Sequence, residues 1–185
     1  TIIVIGKSGQ LAWELAQLST PSQAIVCLGR DDVDLQNVSA LVSTLELCCA
    51  DGVINASAYN AVDKAESDVE NAYLLNAKAV GHLAQACKAL DVPFVHISTD
   101  FVFYGDKGSP YLPGDAIAPL SIYGMSKAQG EQLVSDTYPQ RSTIIRTSWM
   151  YSTHGNNFVK TMLNLMATKP ELGVISDQIG TPTYA

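Results

Sequence analysis

Thr1-Ile2-Ile3-Val4-Ile5-Gly6-Lys7-Ser8-Gly9-Gln10-Leu11-Ala12 is the stretch that decides the fold. Its unbroken apolar run suits a strand buried on both faces, as in a parallel sheet. Gly6 then allows a tight turn. Gly9 lets the backbone approach a pyrophosphate lying on the N-terminus of the helix that opens at Gln10. Ala12 is small enough for that helix to pack closely on its strand. Two glycines at this spacing occur in many structural turns; their place between strand and helix is what points to dinucleotide binding.

Outward from this stretch the same alternation repeats. Strand-like runs occupy Ala24–Leu28, Gly52–Asn55, Pro93–Ser98 and Ser142–Arg146. Helical patterns lie over Gln10–Leu18, Val38–Cys49, Val69–Leu90, Ser121–Asp136 and Phe158–Lys169. Strands separated by helices of this length imply right-handed crossovers and an α/β, doubly wound, Rossmann-like parallel sheet. Residues 1–185 read as one NADP(H)-binding domain, in which about 147–185 begins a substrate-binding part. A further strand is expected from Val174, stopping at a Gly180-Thr181-Pro182 turn. A chain ending there reads as cut before its last elements are complete. The Gly-, Pro- and Asp-rich loop from Tyr104 to Pro119 is expected to shape a binding site.

The formal net charge of -7 argues against a nucleic-acid surface, which relies on Lys and Arg. No apolar run is long enough to cross a bilayer, and the strand-like start carries no leader-like segment, so the expectation is a cytoplasmic protein. Cys27, Cys48, Cys49 and Cys87 form no C-x-x-C pair or zinc-ligand spacing and read as small buried hydrophobes.

The second strand ends at Leu28-Gly29-Arg30. An enzyme selective for NAD places an acidic side chain there for the ribose 2′-hydroxyl; Arg30 can instead pair with a 2′-phosphate. NADP(H) is therefore favoured, with NAD(H) open because Asp31 and Asp32 follow directly. Small residues in Asn55-Ala56-Ser57-Ala58-Tyr59-Asn60 leave room for a ligand across the sheet edge. The acidic residues Asp63, Glu66, Asp68 and Glu70 read as a solvated face near a helix start.

Tyr123 and Lys127 stand one helical turn apart on one face. A neighbouring ammonium favours the phenolate, and so is expected to lower the tyrosine pKa and make Tyr123 a workable general acid. Y-x-x-x-K alone is more often a surface pair. Thr99, in Ile97-Ser98-Thr99-Asp100-Phe101-Val102-Phe103, changes the odds by placing a hydroxyl at the carboxyl end of a strand, where open α/β sheets bind ligands.

Gly-x-x-Gly, Ser-Thr-Asp-x-Val-Phe and Tyr-Gly-x-Ser-Lys together resemble the extended short-chain dehydrogenase/reductases. Gly9-Gln10-Leu11, Ala61-Val62-Asp63-Lys64-Ala65-Glu66, Arg146-Thr147-Ser148-Trp149-Met150-Tyr151, Asn156-Asn157-Phe158 and Asp177-Gln178-x-Gly180-x-Pro182-Thr183 narrow the resemblance to the dTDP-4-dehydrorhamnose reductase family. It implies NADPH-dependent reduction of a 4-keto nucleotide sugar. Tyr123 and Lys127 are the implied catalytic pair, which also holds the cofactor, with Thr99 as hydroxyl partner. The implied cofactor contacts are Gly9, Gln10, Leu11, Ala58, Tyr59 and Asn60; Thr99, Asp100 and Trp149 would meet substrate. Ala12 departs from the family's third glycine, and members continue beyond this length to finish a sugar-nucleotide lobe. Glu14 matches a position associated with Mg²⁺ at a subunit interface, although the residues themselves assign no metal ligand. The partners implied are a small nucleotide sugar and a second copy of the chain in a homodimer. The β subunit of methionine adenosyltransferase, a non-catalytic binding partner, resembles the same family, and an epimerase or dehydratase is a third reading. His82, His96 and Trp13 read as packing residues, whereas His154 is close enough to Trp149 to line a substrate site.

Overall fold

The structure is a computed structural model that describes all 185 residues. Five strands form one parallel sheet in the order β2-β1-β3-β4-β5. They are β1 (Ile2–Ile5), β2 (Ile25–Leu28), β3 (Gly52–Asn55), β4 (Phe94–Thr99) and β5 (Ser142–Thr147). Order reverses at β1, with β2 on one side and β3 on the other, which opens a crevice at the strands' carboxyl ends.

Helices lie on both faces, but the α1 face is only partly covered: Ile54 and Val95 are half-buried and Ile145 is exposed. α1 (Gln10–Gln17) lies over Val4 and Cys27, which are cross-strand partners; the Cys27 thiol donates to the Ala12 carbonyl at 3.5 Å. On the other face, α2 (Val38–Leu47), α5 (Ala79–Ala89) and α6 (Ile122–Thr137) close a core containing Ile3, Ile5, Leu41, Leu45, Val53, Leu83, Phe94 and Val134. Asn37 caps α2 and Ser121 caps α6, each accepting a first-turn N–H at 3.1 Å. α1 begins at Gly9 with no side-chain cap, leaving its first N–H groups for a ligand.

The expected helix over Val69–Leu90 is continuous but not regular. α4 (Val69–Tyr73) passes through a π-helical turn, Leu74–Lys78, into α5. Packing explains the widened turn: a Cβ on Gly130 of α6 would sit 2.2 Å from the Asn76 carbonyl oxygen. The backbones of two elements therefore meet directly. A short α3 (Val62–Ala65) precedes this run, and the Asp100–Val102 segment is a 3₁₀ turn.

Four expectations are corrected. Residues from Val174 form no strand and 180–182 no turn; that segment runs irregularly to β7 (Thr183–Tyr184), which pairs in parallel with β6 (Met150–Tyr151). The 104–119 loop packs on itself instead of walling a site, with Phe103 stacked on Tyr111 at 4.2 Å and Lys107 bridged to Asp115. Part of the acidic run is structural: Glu66 accepts the Ile122 N–H at 2.8 Å and Asp68 the Tyr59 hydroxyl at 2.9 Å. Of the cysteines, Cys87 is buried, with its thiol pushed up to about 12, but Cys49 is exposed. α7 (Phe158–Thr168), capped by Asn157, buries none of its residues.

Gly130→Ala is expected to destabilise the protein by roughly 2 kcal/mol or more, because backbone rather than a flexible side chain blocks the new methyl. Chemical denaturation checks it; an unchanged midpoint would show that the π turn yields easily.

Candidate functional site

A cleft of about 600 Å³ runs along the carboxyl ends of β1, β3, β4 and β5. The glycine turn lines it with Gly9, Gln10 and Leu11. Ala58, Asn60, Thr99, Asp100, Tyr123 and Lys127 line it as well, with Ser148, Trp149, Met150 and Phe158 from the segment after β5; that segment returns to the glycine turn, where Gln10 Nε2 donates to the Met150 carbonyl at 3.5 Å. Gly6, Arg30 and Tyr59 are not lining residues. Gly6 makes the turn instead: its φ is +123°, and a Cβ would press to 3.2 Å on the Ala56 carbonyl carbon. Arg30 is exposed at the end of β2. Beside it, the Asp32 carboxylate accepts the Gly29 N–H at 2.8 Å and Lys7 at 3.1 Å, contacts that hold its pKa down.

Tyr59 secures one wall from behind. Its N–H donates to Asn76 Oδ1 at 2.8 Å, and its carbonyl accepts from Asn76 Nδ2 at 3.1 Å. The same Nδ2 reaches Ser126 Oγ at 3.0 Å, so the π turn, α6 and the 58–60 segment share one buried amide. That role was missed in the sequence, where Asn76 sits inconspicuously within a helical pattern.

Tyr123 and Lys127 enter the cleft from α6 because Gly124 lets the helix close on the 3₁₀ turn that follows β4; a Cβ there would clash with the Phe101 carbonyl oxygen. Burial pushes the Tyr123 phenol up, the Thr99 hydroxyl works against that rise, and the charge of Asp100 adds to it. This corrects the expectation that Lys127 would bring the phenol down. The proton stays on Tyr123 at neutral pH, as a proton donor requires. Lys127 is only 2% exposed, and Nζ donates to the Ile97 carbonyl at 2.7 Å. Burial lowers its pKa to about 8, with the negative charge of Glu131 opposing the fall. Thr99 donates to Asp100 at 3.1 Å and accepts the Phe101 N–H at 3.2 Å, while burial raises the Asp100 carboxyl.

Trp149 takes a left-handed backbone (φ +47°), and its indole is packed so tightly on Gly180 that a Cβ would lie 2.8 Å away. The Gly180 motif thus carries the wall, although no strand forms before it. His154 is not in that wall: it stacks on Trp13, with Nε2 3.2 Å from the Ser8 carbonyl oxygen. His82 bonds Leu35, and buried His96 bonds Asn55 at 3.2 Å, leaving Nε2 without a partner. Glu14 accepts from Ser152 at 2.7 Å and from Tyr184 at 3.0 Å. No three His, Cys, Asp or Glu side chains converge as a metal cluster, and no helix is long and apolar enough to cross a membrane.

The residues fit a dinucleotide. The uncapped helix start and Gly9, around which an added Cβ would meet nothing within 4 Å, leave open ground for a pyrophosphate.

A family model described as the RmlD substrate binding domain matches residues 1–185. The chain is 45% identical over 184 residues to a dTDP-4-dehydrorhamnose reductase of Sinorhizobium fredii, covering 100% of this chain and 62% of that protein. It is 44% identical over 184 residues to another of that name from Burkholderia thailandensis, covering 100% and 61%. The crystal structure of dTDP-4-dehydrorhamnose reductase from Bacillus anthracis in complex with NADP superposes with a TM-score of 0.94 at 38% identity, over 99% of this chain and 65% of that one. The chain thus spans less than two thirds of the length of these relatives.

The depressed Lys127 gives a stability signature. Its folded pKa of about 8 lies below the ordinary 10.5, so between those values the unfolded chain binds more protons. Stability contributed at this position therefore rises with pH across that window. Relative to Lys127→Met, the wild type is expected to gain stability between about pH 8 and 10. Parallel unfolding curves across that range would contradict a buried ammonium.

Proposed function

The chain belongs to the RmlD substrate binding domain family, and on that premise we propose that its cleft serves NADPH-dependent reduction of the 4-keto group of dTDP-4-dehydro-L-rhamnose to dTDP-L-rhamnose. The observation that carries this reading is the convergence of Thr99, Tyr123 and Lys127 in one cleft with an uncapped helix start and Trp149. NADPH, when bound, supplies the hydride to C4. The glycine turn with Gln10 and Leu11 would hold its pyrophosphate, and Ala58 and Asn60 would face its middle.

Thr99 holds the ketone oxygen by a hydrogen bond, and Tyr123 gives that oxygen its proton as the alkoxide develops. Lys127, on the same helix face, would serve the ribose hydroxyls of the cofactor. Trp149 and Asp100 would face the sugar. A cleft of this kind needs water kept out during transfer, which favours the apolar wall of Ile97, Val62 and Phe158. Cation-free recognition of the 2′-phosphate is poor, and Arg30 and Lys7 stand at the end of β2 where that group belongs. The non-catalytic reading leaves the proton-donor arrangement without a purpose. A dehydratase would need more acid–base groups beside Thr99 than Asp100 alone. We assign residues from about 147 onward to the substrate side, and place the protein in the cytoplasm as a homodimer; Glu14 would contribute any Mg²⁺ contact between subunits.

Tyr123→Phe in the full-length protein is expected to bind NADPH normally and lose about 10²–10⁴ in turnover with the 4-keto sugar. Turnover near that of wild type would remove Tyr123 from the reaction. Arg30→Ala is expected to cut the NADPH-over-NADH affinity ratio by about tenfold, the worth of one charge-assisted contact. A ratio that does not move would place 2′-phosphate recognition elsewhere.

A further inference from the structure

We propose that His154 is a positioning residue for the cofactor's pyrophosphate, acting through the peptide unit that joins Ser8 to Gly9. The inference rests on the dinucleotide reading above and deepens it. His154 follows β6, far along the chain from the glycine turn, yet its Nε2 lies 3.2 Å from the Ser8 carbonyl oxygen. A carbonyl can only accept, so Nε2 carries the proton and donates.

α1 holds the histidine in two ways. The imidazole stacks on Trp13, with centroids 5.2 Å apart and planes within 2° of parallel. The His154 N–H donates at 2.8 Å to Ser152 Oγ, which in turn donates at 2.7 Å to Glu14. Trp13 and Glu14 belong to the helix that begins at the turn. The ring's place is therefore fixed relative to the peptide it contacts.

The Ser8 carbonyl and the Gly9 N–H are the two ends of one trans peptide and point in opposite directions. Tying the carbonyl to His154 sets the aim of the N–H. It also polarises the peptide, so that the N–H becomes a stronger donor. Gly9 lines the cleft and His154 does not. The Gly9 N–H makes no backbone hydrogen bond within the chain. A glycine turn is conformationally loose, and an anion bound by its N–H groups gains from having that looseness removed beforehand.

Two variants separate this role from simple packing. His154→Phe keeps a ring for Trp13 and removes the donor, whereas His154→Gln restores an N–H of similar reach. Two probes, titrated calorimetrically on the full-length protein, locate the effect: NADPH, with pyrophosphate and 2′-phosphate, and adenosine 2′-monophosphate, with only the latter. NADPH is expected to bind His154→Phe about five- to tenfold more weakly, adenosine 2′-monophosphate to within about twofold of wild type, and His154→Gln to regain most of the NADPH affinity. Unchanged NADPH binding by His154→Phe, equal losses for both probes, or no rescue by His154→Gln would overturn the role. If wild type binds no NADPH, the dinucleotide reading itself fails, and this inference with it.

Discussion

The ammonium of Lys127 lies inside the protein, bonded to the Ile97 carbonyl at 2.7 Å, with no carboxylate in direct contact. Burying a charge in this way costs several kcal/mol unless the surroundings compensate, and the architecture around the cleft supplies that compensation in layers. The carboxyl end of β4 provides the carbonyl. Glu131, one turn further along α6, provides an opposite charge that is itself held by Arg146 at 2.9 and 2.6 Å. Arg146 lies 4.9 Å over the Phe103 ring and donates to the Pro113 carbonyl at 3.1 Å. The long loop after the catalytic segment is therefore best understood as the outer end of this chain of charges, which explains why it is ordered without lining the cleft.

The glycine turn and the segment after β5 are also mechanically joined. Gln10 Oε1 accepts from Asn157, whose Oδ1 caps α7, and Glu14 receives Ser152 and Tyr184. The helix that presents the glycine turn is thus the platform on which residues 150–157 and 184 sit. Under the proposed function, dinucleotide and sugar nucleotide would rest on one shared support, an arrangement suited to holding two reacting carbons in register.

Much of this was legible in the sequence because the strands are short apolar runs separated by longer helical patterns. All five strands of the main sheet fall within a residue or so of where the pattern puts them. Gly9, Gln10, Leu11, Thr99, Tyr123, Lys127 and Trp149 do meet in one cleft. What was illegible depends on contacts between distant segments. The π turn at Leu74–Lys78 follows from a glycine on α6, and the two-residue strands β6 and β7 are too short to carry a period. The phenol of Tyr123 rises where one-turn spacing to a lysine suggested a fall, because burial, aided by the charge of Asp100, outweighs the Thr99 hydroxyl. Asn76 and His154 act on backbone groups far from them in sequence, and no local motif announces that.

Under the proposed function, this cleft moves a hydride to C4 of a nucleotide sugar while Tyr123 supplies the proton. The most direct test follows the label. The full-length protein is given dTDP-4-dehydro-L-rhamnose with NADPH deuterated at the transferable position of nicotinamide C4, and the product is read by proton NMR. Deuterium at C4 of the rhamnosyl ring, in proportion to NADPH consumed, is the result predicted here. Product carrying no deuterium at C4, or conversion without NADPH consumption, would contradict it.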